Sequence, residues 1–463
     1  MKPVLNWIKA NLVAVICVVV VLIALPVAWF FSSGWNKSIK TSREAEVGRE
    51  MQAITQARVD YTLPSYEPGV EPVSLSTEPN DALTRWFKAR RDEIKSEADA
   101  LVQRIIAFNK GEGPDAQAVG RRPHAPLIEG LFPAPQGDPT ERFYEMEDAL
   151  LGKRGRTDPY EALLRRINAG GPPEPQRVAE AVENVRAREL EKIGPARQAT
   201  AEEAAEIQKK LVERRIAEYQ ARARDISVYA STDAFESDQK KGAAIPTEQL
   251  VGLYSREPAR LRPMRFFLWQ WDLWTYTDLL EAVRIANTGP GNRPLNVVQA
   301  PVKRIEYVSA REVEGVFEDS STPDPMGGMG MGEPAAPTPA VPATLVTDPT
   351  RSVTGRASGE WNTLYDVRRA DMRLIVDSKR VDEVIRAFSA TNLMTVLDMD
   401  IEQIDVWEHL REGYYYGPDH VVRLNLNIET LWLRPWTTRL MPEILRNAMG
   451  VASETDPNAA NPG

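Results

Sequence analysis

The sequence predicts an α+β protein. It places a single membrane-spanning helix near the N-terminus, long helical segments behind it, and a small α/β sandwich towards the C-terminus. Three observations predict this. Residues 12–31 form an uncharged apolar run of about twenty residues, with nothing comparable afterwards. Residues 176–232 are rich in Ala, Glu, Arg and Lys, the composition of solvated helix. Near the end of the chain, Val422, Leu424, Leu426 and Ile428 alternate with Arg423, Asn425, Asn427 and Glu429, which marks a strand with one wet face.

A helix rises about 1.5 Å per residue, so the apolar run matches a hydrocarbon core of roughly 30 Å. A cleaved signal peptide has a shorter apolar region, about 7–15 residues, followed by small residues. This run ends instead in Trp29, Phe30 and Phe31, and Ser32-Ser33-Gly34 is a weak cleavage site. It reads as an uncleaved anchor at 11–33, behind a short cytoplasmic tail at 1–10. Trp7, Trp29 and Trp35 flank the span as interface aromatics do, and Pro26 would bend or cap its helix. Lys2 and Lys9 precede the span; Lys37, Lys40 and Arg43 follow it, so charge bias does not choose an orientation. A tail this short is easily left behind while the large body is translocated. The only cysteine, Cys17, lies inside the span, so the body contains no disulfide.

Over 463 residues the net charge is -9, which argues against a general nucleic-acid binder with its basic face. Residues 36–110 read as a helical segment with a proline-rich break. A helix spans 38–61, Pro64, Pro68, Pro72 and Pro79 exclude a regular element at 63–80, and Asp81 caps a helix to Asn109. Residues 111–175 are irregular and broken by Gly and Pro, with short helices at 139–151 and 159–168. In the 176–232 segment, Gly194-Pro195 ends one helix and a second starts near Thr200. Its apolar residues Val212, Ile216, Tyr219, Ala223 and Ile226 step by four and three. That spacing suits a helix packed on its own chain and a two-chain coiled coil equally.

Residues 249–318 and 361–440 read as two parts of one domain, separated by a Pro/Gly/Met linker at 319–360 and followed by a tail at 441–463. The first part has a helix at 263–287 and a strand at 295–309, whose phase changes after Val302 as at a bulge. The second has a strand at 364–376, a helix capped by Asp377 or Ser378 and running to Thr391, and strands at 393–407 and 421–433. The order α-β, then β-α-β-β, makes a sandwich of the ferredoxin-like kind. Trp269, Leu273, Tyr276, Leu280, Val384 and Phe388 are the candidate core or interface residues, because they repeat at helical spacing on apolar faces.

Little points to catalysis. His124 lies in a proline-rich loop. His409 and His420 bracket a loop near Asp405, Glu408, Glu412 and Asp419, which reads as polar residues on the surface of a hairpin tip rather than a metal site. Met326, Met329 and Met331 are too few to hold copper(I). No phosphate-binding, zinc-protease or nucleophile-elbow motif is present. The expectation is a non-enzymatic protein with no cofactor, no metal and no small-molecule substrate.

In 365–433, VRRADMRLIVDSKRVDEVIRAFSATN is followed by MTVLDMDIEQIDV and VVRLNLNIETLWL. With the short tail and single span, this resembles the PilO and GspM proteins, inner-membrane alignment or platform subunits of type IV pilus and type II secretion machines. The resemblance implies an inner-membrane anchor, a body in the periplasm, and a terminal domain that forms a homodimer or pairs with a paralogous inner-membrane subunit. It carries no catalytic residue. Residues 111–230 and the Gly/Met/Pro insertion are additional to the family layout. The alternatives are a single-span envelope sensor or ligand-binding protein, or an unrelated anchored scaffold.

Overall fold

The computed structural model describes residues 8, 10–63, 71–194, 197–235, 246, 248, 251–252, 261–311, 364–449 and 451. The expected linker at 319–360, with its methionines, lies outside the described residues. The chain forms two compact units, Met1–Val102 and Gln103–Gly463.

Apart from Pro26, the four consecutive valines and their apolar neighbours contain nothing that stops a helix. The chain runs through the apolar segment into the polar one as a single helix, α1 (Leu12–Thr55), with Pro26 inside it. The expected break between span and second helix is absent, because Ser32, Ser33 and Gly34 sit within α1, where an interior glycine costs only about 1 kcal/mol. At 44 residues α1 is about 66 Å long. Among the described residues it is the one helix long and apolar enough to cross a membrane, with a peak mean hydropathy of 3.1.

Strands β1 (Val59–Leu63) and β2 (Val73–Thr77) pair antiparallel, Val59 opposite Thr77 and Leu63 opposite Val73. This corrects the expectation that prolines exclude a regular element at 63–80. Pro72 and Pro79 flank β2 rather than interrupt it, so no ladder N–H is lost. Helix α2 (Asp81–Lys110) follows. Its cap is Asn80, not Asp81: the Asn80 Oδ1 accepts from the backbone N–H of Ala82 at 2.9 Å and of Leu83 at 3.2 Å. Tyr61 and Phe87 stack with ring centroids 5.0 Å apart and bury the hairpin's apolar side.

In the second unit come α3 (Gly113–Ala118), α4 (Pro139–Leu150), α5 (Pro159–Arg166) and the short strand β3 (Ala169–Gly170). Asp138 and Asp158 cap α4 and α5, each followed by proline at the first helical position. Then α6 (Pro175–Ile193) and α7 (Ala201–Asp225) pair antiparallel. Glu189 meets Lys210 at 3.0 Å, and Arg177 meets Glu218 at 3.8 Å. The seam of α7 is thus used within its own chain where Tyr219 and Ala223 are buried, while Val212 stays 48 % exposed.

The remaining elements are β4 (Val228–Tyr229), α8 (Arg262–Ala286), β5 (Thr288–Gly289), β6 (Arg293–Pro294), β7 (Val302–Ala310), β8 (Tyr365–Asp377), α9 (Val381–Thr391), β9 (Met394–Gln403), α10 (Val406–Arg411), β10 (Val421–Leu433), α11 (Arg434–Thr437) and α12 (Glu443–Ala448). One mixed sheet runs in the order β3-β4-β7-β8-β10-β9. Its four long strands are antiparallel, with β8 and β10 paired over their full length. Helices α8 and α9 bury their apolar faces together with Leu374, Val376, Leu424 and Leu426 of the sheet.

Several boundaries differ from the sequence reading. Strand β7 starts at Val302, not 295, because 296–300 form a hydrogen-bonded turn; register shifts then follow at Val302/Arg304 and Ile305/Tyr307. Asp377 ends β8 and accepts from Lys379 N–H, so α9 begins at Val381 without a side-chain cap. Strand β9 stops at Gln403 because Asp405 caps α10. Glu429, expected on the wet face, is buried. The segment expected to be irregular supplies Leu131, Phe132, Phe143 and Met146 to an aromatic core under Phe267, Trp271 and Trp274 of α8. The described start of the tail does the same through Met441, Leu445 and Met449.

Candidate docking edge

Trp269, Leu273, Tyr276, Leu280, Val384 and Phe388 are all buried. Leu273, Tyr276 and Leu280 of α8 meet Val384 and Phe388 of α9 in the core over the sheet, and Trp269 lies in the aromatic core. Tyr276 also accepts from Ala310 N–H through its hydroxyl at 3.1 Å, and burial pushes that hydroxyl's pKa up. None of the six offers an exposed side chain for a subunit contact.

A polar node that sequence reading missed lies between α8 and the 111–131 segment. Asp278 Oδ1 accepts from Arg121 Nη2 at 2.8 Å, and Oδ2 lies 3.2 Å from His124 Nε2. Asn392 Nδ2 also donates to Asp278. Asn109 continues the network: its Nδ2 donates to Asn392 at 3.0 Å, and its Oδ1 accepts from Trp436 Nε1 at 2.8 Å. Burial raises the Asp278 carboxyl's pKa, but the charges of His124 and Arg121 and the hydrogen bonds outweigh it and hold the group below the usual range. Trp432 and Trp436 cover the His124 ring. Carboxylate, imidazole and guanidinium here are sealed from solvent and lock segments together.

The remaining histidines do not converge. His409 is buried with Nδ1 2.7 Å from the Tyr416 hydroxyl, while His420 is exposed beside Ser378. Their acidic neighbours have other partners: Asp405 caps α10, Asp419 lies 3.7 Å from Lys303 Nζ, and Glu412 lies 3.9 Å from Arg304. Among the described residues no group of three or more metal-ligating side chains is assembled.

The feature that faces outward is β9. Among the described residues it is the last strand of the sheet, and every residue from Asp398 to Gln403 is exposed. Its pairing with β10 sets Met399 beside Leu426 and Ile401 beside Leu424, on the helix side, yet they remain 39 % and 50 % exposed. On the other side Asp398, Asp400 and Glu402 stand beside Asn427, Asn425 and Arg423. A bulge at Leu397 precedes this exposed half. Just beyond it, α10 leaves Trp407 71 % exposed. An outermost strand with exposed apolar residues on one face and carboxylates on the other can accept an added strand.

Comparison with protein-family models, with curated proteins and with solved structures gives no match.

Proposed function

We propose that this chain is a non-enzymatic, membrane-anchored structural subunit that docks to another protein through the β9 edge. It would serve as an alignment or platform subunit of the kind found in the inner membrane of type IV pilus and type II secretion machines. The α-β-β-α-β-β order, with α8 and α9 on one face of four antiparallel strands, fits the ferredoxin-like sandwich of those subunits. The long apolar α1 fits a single-span anchor for a body in the periplasm. The observation that carries the reading is the exposed β9 edge with Met399 and Ile401 on it.

A second reading, an anchored sensor, rests on a cavity of about 430 Å³ between β4 and β7, lined by Tyr229, Asp233, Arg304, Glu306 and Tyr414. Arg304 there is already engaged, 3.8 Å over the Tyr414 ring and 3.8 Å from Glu306.

The test is recovery of complexes from native membranes with the wild-type chain and with Ile401→Lys. The assembly reading expects a pilus or secretion inner-membrane subunit with the wild type, lost in the variant. Equal recovery with both would refute docking through β9.

A further inference from the structure

Building on the edge-docking reading, we propose that β9 selects a partner strand carrying lysine or arginine at alternate positions, with apolar residues between, and rejects a second copy of itself.

The argument is one of register. Strand side chains alternate with a period of two, so a partner added to β9 meets Asp398, Asp400 and Glu402 on one face and Met399 and Ile401 on the other. Among the described residues this acidic row is compensated only at one end. Glu402 lies 3.3 Å from Arg423 and accepts from Asn425 Nδ2 at 2.9 Å, and Arg423 is shared with Glu306 at 2.7 Å. Behind Asp398 and Asp400 β10 offers the neutral Asn427 and Asn425. Asp398 accepts only from the adjacent Met399 N–H, and neither aspartate pairs with a cation among the described residues.

Self-pairing is disfavoured on the same grounds. An antiparallel β9–β9 contact that keeps both helix layers on one side and centres on this row sets Asp400 opposite Asp400, Asp398 opposite Glu402, and Met399 opposite Ile401. The apolar face would match, but every charged position would face a like charge, which destabilises cross-strand pairs. A basic strand satisfies both faces. Charges alone can serve to blunt an edge against aggregation. Blunting, however, gives no role to Met399 and Ile401, exposed between those charges.

The test uses the full chain in lipid nanodiscs, with dyes at Gln403→Cys in a Cys17→Ser background. In the centred pairing Gln403 lies opposite Leu397, which puts two labels about 20 Å apart, within range for energy transfer. The charge-reversed edge is D398K/D400K/E402K. Mixing it with wild type should give transfer at least roughly tenfold tighter than either chain with itself, weakened by salt. The neutral variant D398N/D400N/E402Q should pair with itself more tightly than wild type does, which keeps the test decisive if charge reversal impairs folding. Self-transfer by wild type that survives neutralisation and reversal would overturn charge selection while leaving edge docking intact. Absence of transfer in every mixture would show an edge that is merely blunted. The assembly reading is then decided separately, by the complexes recovered from membranes.

Discussion

Asp278 on α8 holds Arg121, 157 residues earlier in the chain, at 2.8 Å, with both side chains 1 % exposed. The pair ties a segment rich in glycine and proline to the central helix, and Asn392 and Asn109 extend the tie to the end of α9 and to β10. Breaking one side of a buried, hydrogen-bonded ion pair leaves an uncompensated charge, which costs about 3–5 kcal/mol. Arg121→Ala should lower stability by that amount in chemical denaturation. The double variant Arg121→Met/Asp278→Leu should lose less than the sum of the single changes. Additive losses would mean that the two residues act independently.

His409 should set part of the acid sensitivity. Its burial, then the nearby Arg304 charge, lower its pKa from the ordinary 6.5. The unfolded chain therefore takes up this proton before the folded one does. Stability from this group is complete above pH 6.5 and is lost as pH falls from there through the lower folded value. His409→Gln should flatten the decline in denaturation midpoint between about pH 7 and 5. An unchanged slope would assign the decline to other groups. Asp278 acts lower still, because its depressed pKa keeps its contribution intact until pH falls below the ordinary carboxylate range of 3.8.

Core and edge should respond oppositely to truncation. Phe388 is buried between α9, α8 and the sheet, so Phe388→Ala should cost about 3–5 kcal/mol. Ile401→Ala removes a half-exposed side chain and should change stability by about 0.5 kcal/mol or less. A large loss at Ile401 in the isolated chain would mean that the edge is already covered.

The strands were legible where one face is apolar. The alternation of Val422, Leu424, Leu426 and Ile428 predicts β10, and the phase change after Val302 marks where β7 slips against β8. Met399 and Ile401, within the strand expected at 393–407, lie on the helix side of the sheet but are exposed, because β9 is outermost among the described residues, and strand order cannot be read from periodicity. The Asp278 node was invisible because its members lie far apart in sequence and carry no motif. The strand β2 was missed because prolines beside a strand look like prolines within it.

The span makes its own prediction. Val20 sits in the middle of the apolar stretch of α1, where an arginine costs about 2.5–3.5 kcal/mol by insertion scales. Val20→Arg should increase the fraction released from membranes by alkaline carbonate. The same release from wild type and variant would argue that α1 does not cross the bilayer.

The most direct test of docking is site-specific photo-crosslinking in native membranes. A crosslinking side chain is placed at Ile401 on the β9 edge and, in a control, at the exposed Glu383 on α9. Docking through β9 predicts a discrete adduct with a partner protein from position 401 and none from position 383. The same adducts from both positions, or none from 401 in intact cells, would contradict it.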